Sequence, residues 1–236
     1  MRTLTFPLTA PAFDQALYIL HAGRVVVHPT DTIYGLGTLA QGANSARPLD
    51  ALKGRHGPYA LLAADLKMAE RLARFSPVAR RLAARYWPGP LTLILPARIP
   101  LSPVYGGEAG RGGSVPAAQN GTPALGVPVH GGEAGRGGSL PAAEDGTLAL
   151  RVPAHEGMRA LLAALGEPLW STSVNTHAEP PRTGEEEIVT WCGEHGDVGL
   201  FLRDAAAFGG GPPSTQVRVT DSGEVIIVRQ GALALE

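Results

Sequence analysis

The most constraining feature of this sequence is a run of three valines that breaks into a polar turn, V-V-V-H-P-T-D-T-I-Y-G-L-G at 25–37. β-Branched valines favour a buried strand, and Pro29 ends that strand because it has no backbone N–H to donate. The turn then presents two threonines, an aspartate and two glycines, whose backbone amides can approach an anion or a small polar group. On its own the run predicts either a ligand-holding turn or an ordinary strand-to-helix connection with capping threonines.

Length and charge limit the class of protein. The chain has 236 residues, of which 44% are hydrophobic, and this suits one sizeable core in one domain. A formal net charge of −1 gives no general basic surface for a nucleic acid. The single Cys192 excludes an intramolecular disulfide. A polar N-terminal segment, and no apolar run of about 18 residues, predict a soluble, cytoplasmic protein that does not enter a membrane.

Helix and strand patterns alternate along the chain. Helices are predicted at 11–21, 48–53, 156–165 and around 186–192, and two more begin at the capping residues Asp65 and Ser76. Strands are predicted at 24–28, 59–63, 91–95, 168–172, 198–203, 216–220 and 224–229. This order predicts a single α/β domain with a twisted mixed β-sheet flanked by helices. Site residues would then come from several strand ends and loops around one concave face.

Five motifs follow one another in one order: Pro29–Gly37 (P-T-D-T-I-Y-G-L-G), Lys53-Gly54-Arg55, Trp87–Thr92 (W-P-G-P-L-T), Ser171–Asn175 (S-T-S-V-N) and Ser214-Thr215. Together they resemble the YrdC/TsaC family of threonylcarbamoyl-adenylate synthases over nearly the whole chain. The resemblance implies a YrdC-like fold. It also implies synthesis of L-threonylcarbamoyl-AMP and pyrophosphate from L-threonine, bicarbonate or CO2 and ATP, with Mg²⁺ expected. The product would supply a tRNA-modifying transferase, and the resemblance also allows weak RNA binding by the protein itself.

The same resemblance implies the site residues. Lys53 and Arg55 are the candidate catalytic cations, because two positive charges suit phosphate oxygens or a carboxylate. Further hydroxyl, amide and guanidinium groups would bind the nucleotide or threonine. These candidate binding residues are Thr30, Thr32, Thr147, Arg151, Ser173, Asn175, Thr183, Ser214, Thr215 and Arg229. Neither H-E-x-x-H nor paired C-x-x-C occurs, so no protein-built metal site is predicted.

Three positions depart from the family pattern. His56 replaces a usual proline, Leu62 stands where a histidine often closes the strand, and Arg218 occupies the place of a typical aspartate. These departures keep two alternatives open: a non-catalytic RNA-binding paralogue, and a carbamoyl-adenylate enzyme with another substrate. An aromatic content of 6% and scattered arginines speak against the RNA-binding alternative. The sequence does not separate the other alternative from threonylcarbamoyl-AMP synthesis.

Region 98–146 is rich in glycine and proline and contains a tandem repeat. Gly106–His130 and Gly131–His155 align without gaps over 25 positions with 6 differences, as expected of a recent duplication. The second copy ends in a segment that resembles the family's T-x-x-x-R-x-P strand, with Arg151 as its arginine, whereas the first copy has Gly126 there. We therefore predict that 1–236 is one domain, in which the first copy is a surface insertion and the second copy supplies the native strand.

Deleting 106–130 tests this assignment, because Tyr105 would then join Gly131, the equivalent start of the second copy. Halving a loop changes its closure free energy by only about 0.6 kcal/mol, so the deletion variant should fold. It should also keep threonine-dependent pyrophosphate release, and Arg151→Ala should lose it. Collapse on deletion together with an active Arg151→Ala variant would assign the native strand to the first copy instead.

Overall fold

A computed structural model describes residues 1–42, 44–98, 101–102, 140–141, 143, 145–204 and 210–235. The first repeat copy, 106–130, lies outside the described residues, so its assignment as an insertion stays a prediction. The helices are α1 Ala10–His21, α2 Arg47–Lys53, α3 Leu66–Leu72, α4 Pro77–Tyr86, α5 Glu156–Leu165 and α6 Glu185–His195. The strands are β1 Arg2–Thr5, β2 Val25–His28, β3 Gly35–Leu39, β4 Ala60–Leu62, β5 Leu91–Pro96, β6 Leu101–Ser102, β7 Leu140–Pro141, β8 Thr147–Arg151, β9 Leu169–Ser173, β10 Val198–Arg203, β11 Thr215–Val219 and β12 Val225–Arg229.

Helix starts follow local chemistry. The Asp65 carboxylate accepts the backbone N–H of Met68 at 2.7 Å, and the Ser76 hydroxyl accepts that of Ala79 at 3.2 Å. Each bond satisfies a donor that the first helical turn leaves without an intrahelical partner. Both predicted starts are therefore confirmed.

The main sheet has ten strands in the order β1-β10-β2-β3-β9-β4-β8-β5-β11-β12. The sheet contains both parallel pairs, such as β4 with β8, and antiparallel pairs, such as β5 with β8, so it is mixed. β6 and β7 form a separate parallel pair. The predicted α/β fold with a mixed sheet is confirmed.

Neither the short pair β6 and β7 nor two strands of the main sheet, β1 and β3, were predicted. β1 is a short edge strand that pairs with β10 alone. β3 begins inside the segment interpreted as a turn, and it pairs antiparallel with both β2 and β9. Glycine is a poor strand former, but at Gly37 a Cβ atom would stand 2.6 Å from the Leu169 side chain. Close packing therefore requires glycine here, and two neighbouring strands supply the pairing.

The two faces of the sheet differ in side-chain size. One row of directly paired residues crosses five strands and is at most 1% exposed: Trp170, Leu61, Leu150, Leu93 and Val217. Because side chains alternate along a strand, the next positions point to the opposite face. There the row runs through Gly37, Ser171, Ala60 and Ala149 before it reaches the longer side chains of Ile94 and Arg218. The short side chains in this row leave room for a concave surface.

Gly37→Ala should destabilise the protein by about 1–3 kcal/mol, because the new methyl group overpacks against buried Leu169. The matched control is Gly193→Ala in α6, where an added Cβ meets nothing within 4 Å. This control should gain roughly 0.5–1 kcal/mol from the helix propensity of alanine. Urea denaturation measures both changes, and equal effects of the two substitutions would contradict the packing argument.

Candidate active site

A cavity of about 240 Å³ opens on the small-residue face of the sheet. Strand ends and loops from several parts of the chain converge on it. The predicted site residues that line it are Thr30, Thr32, Arg55, Arg151, Ser173, Ser214 and Arg229. The structure therefore brings together residues that are almost 200 positions apart in the sequence.

The threonine turn is held by its own hydroxyl groups. Thr30 Oγ1 donates to the carbonyl oxygen of Ile33 at 2.7 Å and accepts the backbone N–H groups of Thr32 and Ile33 at 3.1 and 3.2 Å. The Thr32 hydroxyl oxygen lies 3.0 Å from Thr30 Oγ1, so the two hydroxyl groups are in contact. The turn thus has a fixed shape on one wall of the cavity.

Arg151 joins this turn to its neighbours. Its guanidinium donates to Asp31 Oδ1 at 2.7 Å, Thr32 Oγ1 at 2.9 Å and the Gly89 carbonyl oxygen at 3.1 Å. The residue is 5% exposed, and Asp31 Oδ1 also accepts the backbone N–H of Ala154. The buried charge therefore has both a carboxylate partner and neutral acceptors, as a desolvated cation requires.

Lys53 lies behind the cavity wall. Its ammonium donates to the carbonyl oxygens of Ser173 at 3.1 Å and Asn175 at 2.7 Å, and also to Asn175 Oδ1. An ammonium has three hydrogens, so these acceptors use its full donor capacity. Burial, with Arg55 and Arg182 nearby, lowers the pKa of Lys53 to about 8. In this arrangement Lys53 holds the end of β9 and does not line the cavity.

Four other candidates also lie outside the cavity lining. Asn175 is the buried partner of Lys53. Thr147 is at the opposite end of β8 from Arg151, and its hydroxyl donates to Asp145 at 2.6 Å. Thr215 donates to the Leu233 carbonyl oxygen and so fastens the segment after β12. Thr183 packs against Gly210, where a Cβ would approach it to 2.7 Å.

The three departures from the family pattern occupy different surroundings. Leu62 lines the cavity and gives its wall an apolar patch. His56 Nδ1 lies 3.2 Å from Asp50 Oδ2, in the loop before β4. Arg218 forms an ion pair with Asp145, so the reversed charge at this position has an acidic partner. Only Leu62 changes the chemistry of the cavity lining itself.

Sequence reasoning missed a buried pair next to the cavity. His28 is fully buried, and its Nε2 lies 3.1 Å from the hydroxyl oxygen of Ser171, which lines the cavity. The other ring nitrogen, Nδ1, lies 3.3 Å from the Pro29 carbonyl oxygen. Burial lowers the pKa of His28 to about 4, so the ring is neutral near pH 7. A histidine at the end of a valine run was the available signal in the sequence.

Two features are absent from the described ranges, a metal-binding cluster and a membrane-spanning helix. Within them no group of three or more His, Cys, Asp or Glu side chains could hold a metal ion. Nor does any helix in the described part of the chain have the length and apolar character needed to cross a membrane.

Comparison with known proteins identifies the family. The model of the Sua5/YciO/YrdC family, described as "Telomere recombination", matches residues 18–130 and 138–231. The chain therefore belongs to the Sua5/YciO/YrdC family, which confirms the resemblance seen in the motifs. In three dimensions it is similar to Pyrococcus abyssi Sua5 complexed with L-threonine, with a TM-score of 0.70 and 25% identity over 98% of this chain and 57% of that one. Escherichia coli YciO has a TM-score of 0.69 at 22% identity over 98% of this chain and 95% of that one, and shows the same fold.

Relatives named threonylcarbamoyl-AMP synthase match to different extents. The Chromohalobacter salexigens protein is 29% identical over 92% of this chain and 97% of its own length. The Bacillus subtilis protein is 38% identical over 37% of this chain. The Pyrococcus abyssi protein is 41% identical over 33%. The matched part is 26% and 24% of these last two proteins, so the chain covers about a quarter of their length.

The buried His28 predicts a pH dependence of stability. The pKa of His28 in the folded state, about 4, is below the ordinary value of 6.5. Between these two pH values the unfolded chain binds a proton at His28 and the folded protein does not, so acidification favours unfolding. Stability should be complete above pH 6.5 and fall as the pH drops towards 4, by at most about 3 kcal/mol. Denaturation of wild type and His28→Gln across this range isolates the effect, because the other titrating groups are common to both. Parallel stability curves would show that His28 is not held neutral.

Proposed function

We propose that the protein synthesises L-threonylcarbamoyl-AMP and pyrophosphate from L-threonine, bicarbonate or CO2, and ATP. One observation carries the proposal. In a member of this family, the side chains of Arg55, Arg151 and Arg229 converge with serine and threonine hydroxyls on one cavity. A triphosphate and an amino acid need anion-binding donors and hydroxyl partners of this kind.

Arg55 is the cation best placed to bind a phosphate group. Its guanidinium lies over the Tyr59 ring, 5.1 Å from the centroid, and Nη1 donates to the His56 carbonyl oxygen at 2.8 Å. Its Nε is buried and has no hydrogen-bond partner among the described residues. Because Arg55 lines the cavity, its guanidinium can donate to an anionic ligand oxygen there.

The reaction needs positioning and charge stabilisation from the protein. The threonine amine adds to CO2 and loses a proton, or condenses with bicarbonate and releases water, to give a carbamate. A carbamate oxygen then attacks the α-phosphorus, and the bond to pyrophosphate breaks as the new O–P bond forms. Arg55 and Arg229 would stabilise negative charge on the phosphates, and the fixed turn at Thr30–Ile33 would orient the reactants. Mg²⁺, as a companion of ATP, would be held by phosphate oxygens and water, because the described residues offer no carboxylate cluster.

The product would pass to a transferase that modifies tRNA, in the cytoplasm. Direct RNA binding would be weak, because the net charge is −1 and basic stripes with stacking aromatics are missing from the sequence pattern. The paralogue that only binds RNA, and the enzyme with another carbamoyl substrate, are not favoured by the names of the relatives.

Pyrophosphate release from ATP, with threonine and bicarbonate omitted in turn, tests the proposed function. Both omissions should abolish release, and mass spectrometry should identify threonylcarbamoyl-AMP. Release without threonine would point to another substrate. Tight RNA binding without any product would support the RNA-binding paralogue.

Arg55→Ala should lower kcat/KM for ATP by about 10- to 100-fold, since a hydrogen bond to a charged group is typically worth about 1.5–3 kcal/mol. Arg85→Ala is the matched control, because Arg85 also lies over a tyrosine ring, 5.2 Å from the centroid of Tyr86, but in α4 and outside the cavity lining. The control should keep wild-type kinetics. Equal loss in both variants would place the phosphate site elsewhere.

A further inference from the structure

The His28–Ser171 pair fixes the direction of a hydrogen bond at the cavity wall. A carbonyl oxygen only accepts, so the contact between Nδ1 and the Pro29 carbonyl places the hydrogen of the neutral ring on Nδ1. Nε2 then has a lone pair and no hydrogen. The bond of 3.1 Å between Nε2 and Ser171 Oγ must therefore be donated by the serine hydroxyl.

This direction determines what Ser171 offers to a ligand. A serine hydroxyl has one hydrogen, and here that hydrogen points at His28, away from the cavity. Ser171 Oγ keeps its lone pairs for the cavity, so it can only accept. Its direct partners on the neighbouring strands are Gly37 and Ala60, which are too short to cover it. The Ser171 hydroxyl oxygen is therefore accessible from the cavity and can act there only as a hydrogen-bond acceptor.

The space for the histidine ring is built into β3. A Cβ atom at Gly35 would stand 2.8 Å from ring atoms Cε1 and Nε2, and one at Gly37 would stand 2.9 Å from Cδ2. Both glycines are thus needed for the ring to reach Ser171. A buried imidazole that served only to fill space would not need a polar atom aimed at the cavity wall.

Ser173, two positions further along β9, has the same property. Its hydroxyl donates to Asn175 Oδ1 at 2.7 Å, so it too has only lone pairs left for a ligand. Side chains at i and i+2 of a strand point to the same face. β9 therefore presents two acceptor oxygens, whereas Arg55 and Arg229 bring donors to the same cavity. The cavity thus has an acceptor wall and a set of cationic donors.

We propose that Ser171 is a binding residue that accepts a hydrogen bond from the amino-acid substrate, and that His28 is the positioning residue that sets this acceptor role. The donor on the substrate is either the amino nitrogen or the side-chain hydroxyl of threonine. This inference rests on the proposed function for the identity of the substrate, but it concerns binding and not turnover.

Calorimetric titration of L-threonine, without ATP, tests the inference independently of catalysis. Ser171→Ala should raise the Kd for threonine by about 10-fold, the equivalent of one hydrogen bond of ~1.4 kcal/mol. His28→Leu removes the group that orients the hydroxyl and should raise the Kd by a smaller factor, because the freed serine oxygen can still accept. His28→Gln can keep an acceptor oxygen near the Nε2 position and should restore most of the affinity. The double variant Ser171→Ala with His28→Leu should bind no more weakly than Ser171→Ala alone, because both changes remove one coupled unit.

The matched control is Ser45→Ala. The Ser45 hydroxyl accepts from Trp170 Nε1 at 2.9 Å, so it also supports β9, but it does not line the cavity. This variant can lose stability and should keep the wild-type Kd. Circular dichroism of each variant confirms folding before titration.

Repeating the titrations with 2-aminobutyrate, which lacks the hydroxyl group, identifies the donor. If Ser171 accepts from the threonine hydroxyl, Ser171→Ala weakens threonine binding alone. If it accepts from the amino nitrogen, both ligands weaken by the same factor. The inference is overturned if wild type does not bind threonine, if Ser171→Ala binds it normally, or if His28→Leu does so. Threonine binding by wild type without any product formation would instead count against the proposed function alone.

Discussion

The architecture of the cavity depends on the buried guanidinium of Arg151. It contacts the Thr30–Ile33 turn through Asp31 and Thr32, and the turn before β5 through the Gly89 carbonyl oxygen. A single planar group with donors in fixed directions thus sets the relative positions of two loops. Loss of one partner would leave a buried charge or a buried carboxylate uncompensated, which is far more costly than loss of an exposed ion pair. The fold therefore positions its binding turns by satisfying one desolvated charge.

The sheet supports this arrangement because its core-packing residues lie on one face and its cavity-lining residues lie on the other. Large residues such as Trp170 and Leu61 fill the core on one face, and their chain neighbours Ser171 and Ala60 form the opposite face. Because alternation along a strand couples the two faces, a shift of one residue in register would bury the serines and expose the core. Stability and the shape of the cavity are thus determined by the same strand pairing.

The features that could be predicted from the sequence are those that depend on neighbouring residues. Contacts between residues far apart in the chain could not be predicted. The caps at Asp65 and Ser76 were visible because both partners of each hydrogen bond are three residues apart. β3 was missed because its glycine-rich sequence becomes a strand only between two partners. The contact of Lys53 with Asn175 spans 122 positions, and that of His28 with Ser171 spans 143. Motif order placed Lys53 in the site, but only the fold shows that its ammonium faces the backbone of β9.

These contacts would allow a cavity rich in cations to receive the ammonium group of the proposed amino-acid substrate. Lys53 is turned away from the cavity and uses its hydrogens on the end of β9, so its charge is partly neutralised by carbonyl oxygens. Arg151 is paired with Asp31. Arg55 lines the cavity and has no carboxylate partner among the described ion pairs. The positive charge is therefore divided between groups that hold the protein together and groups that face a ligand. The Lys53 ammonium is therefore not available to occupy the acceptor oxygens of β9 on the cavity wall. Those oxygens can accept from the positive group of a substrate, while the cavity arginines bind its negative groups.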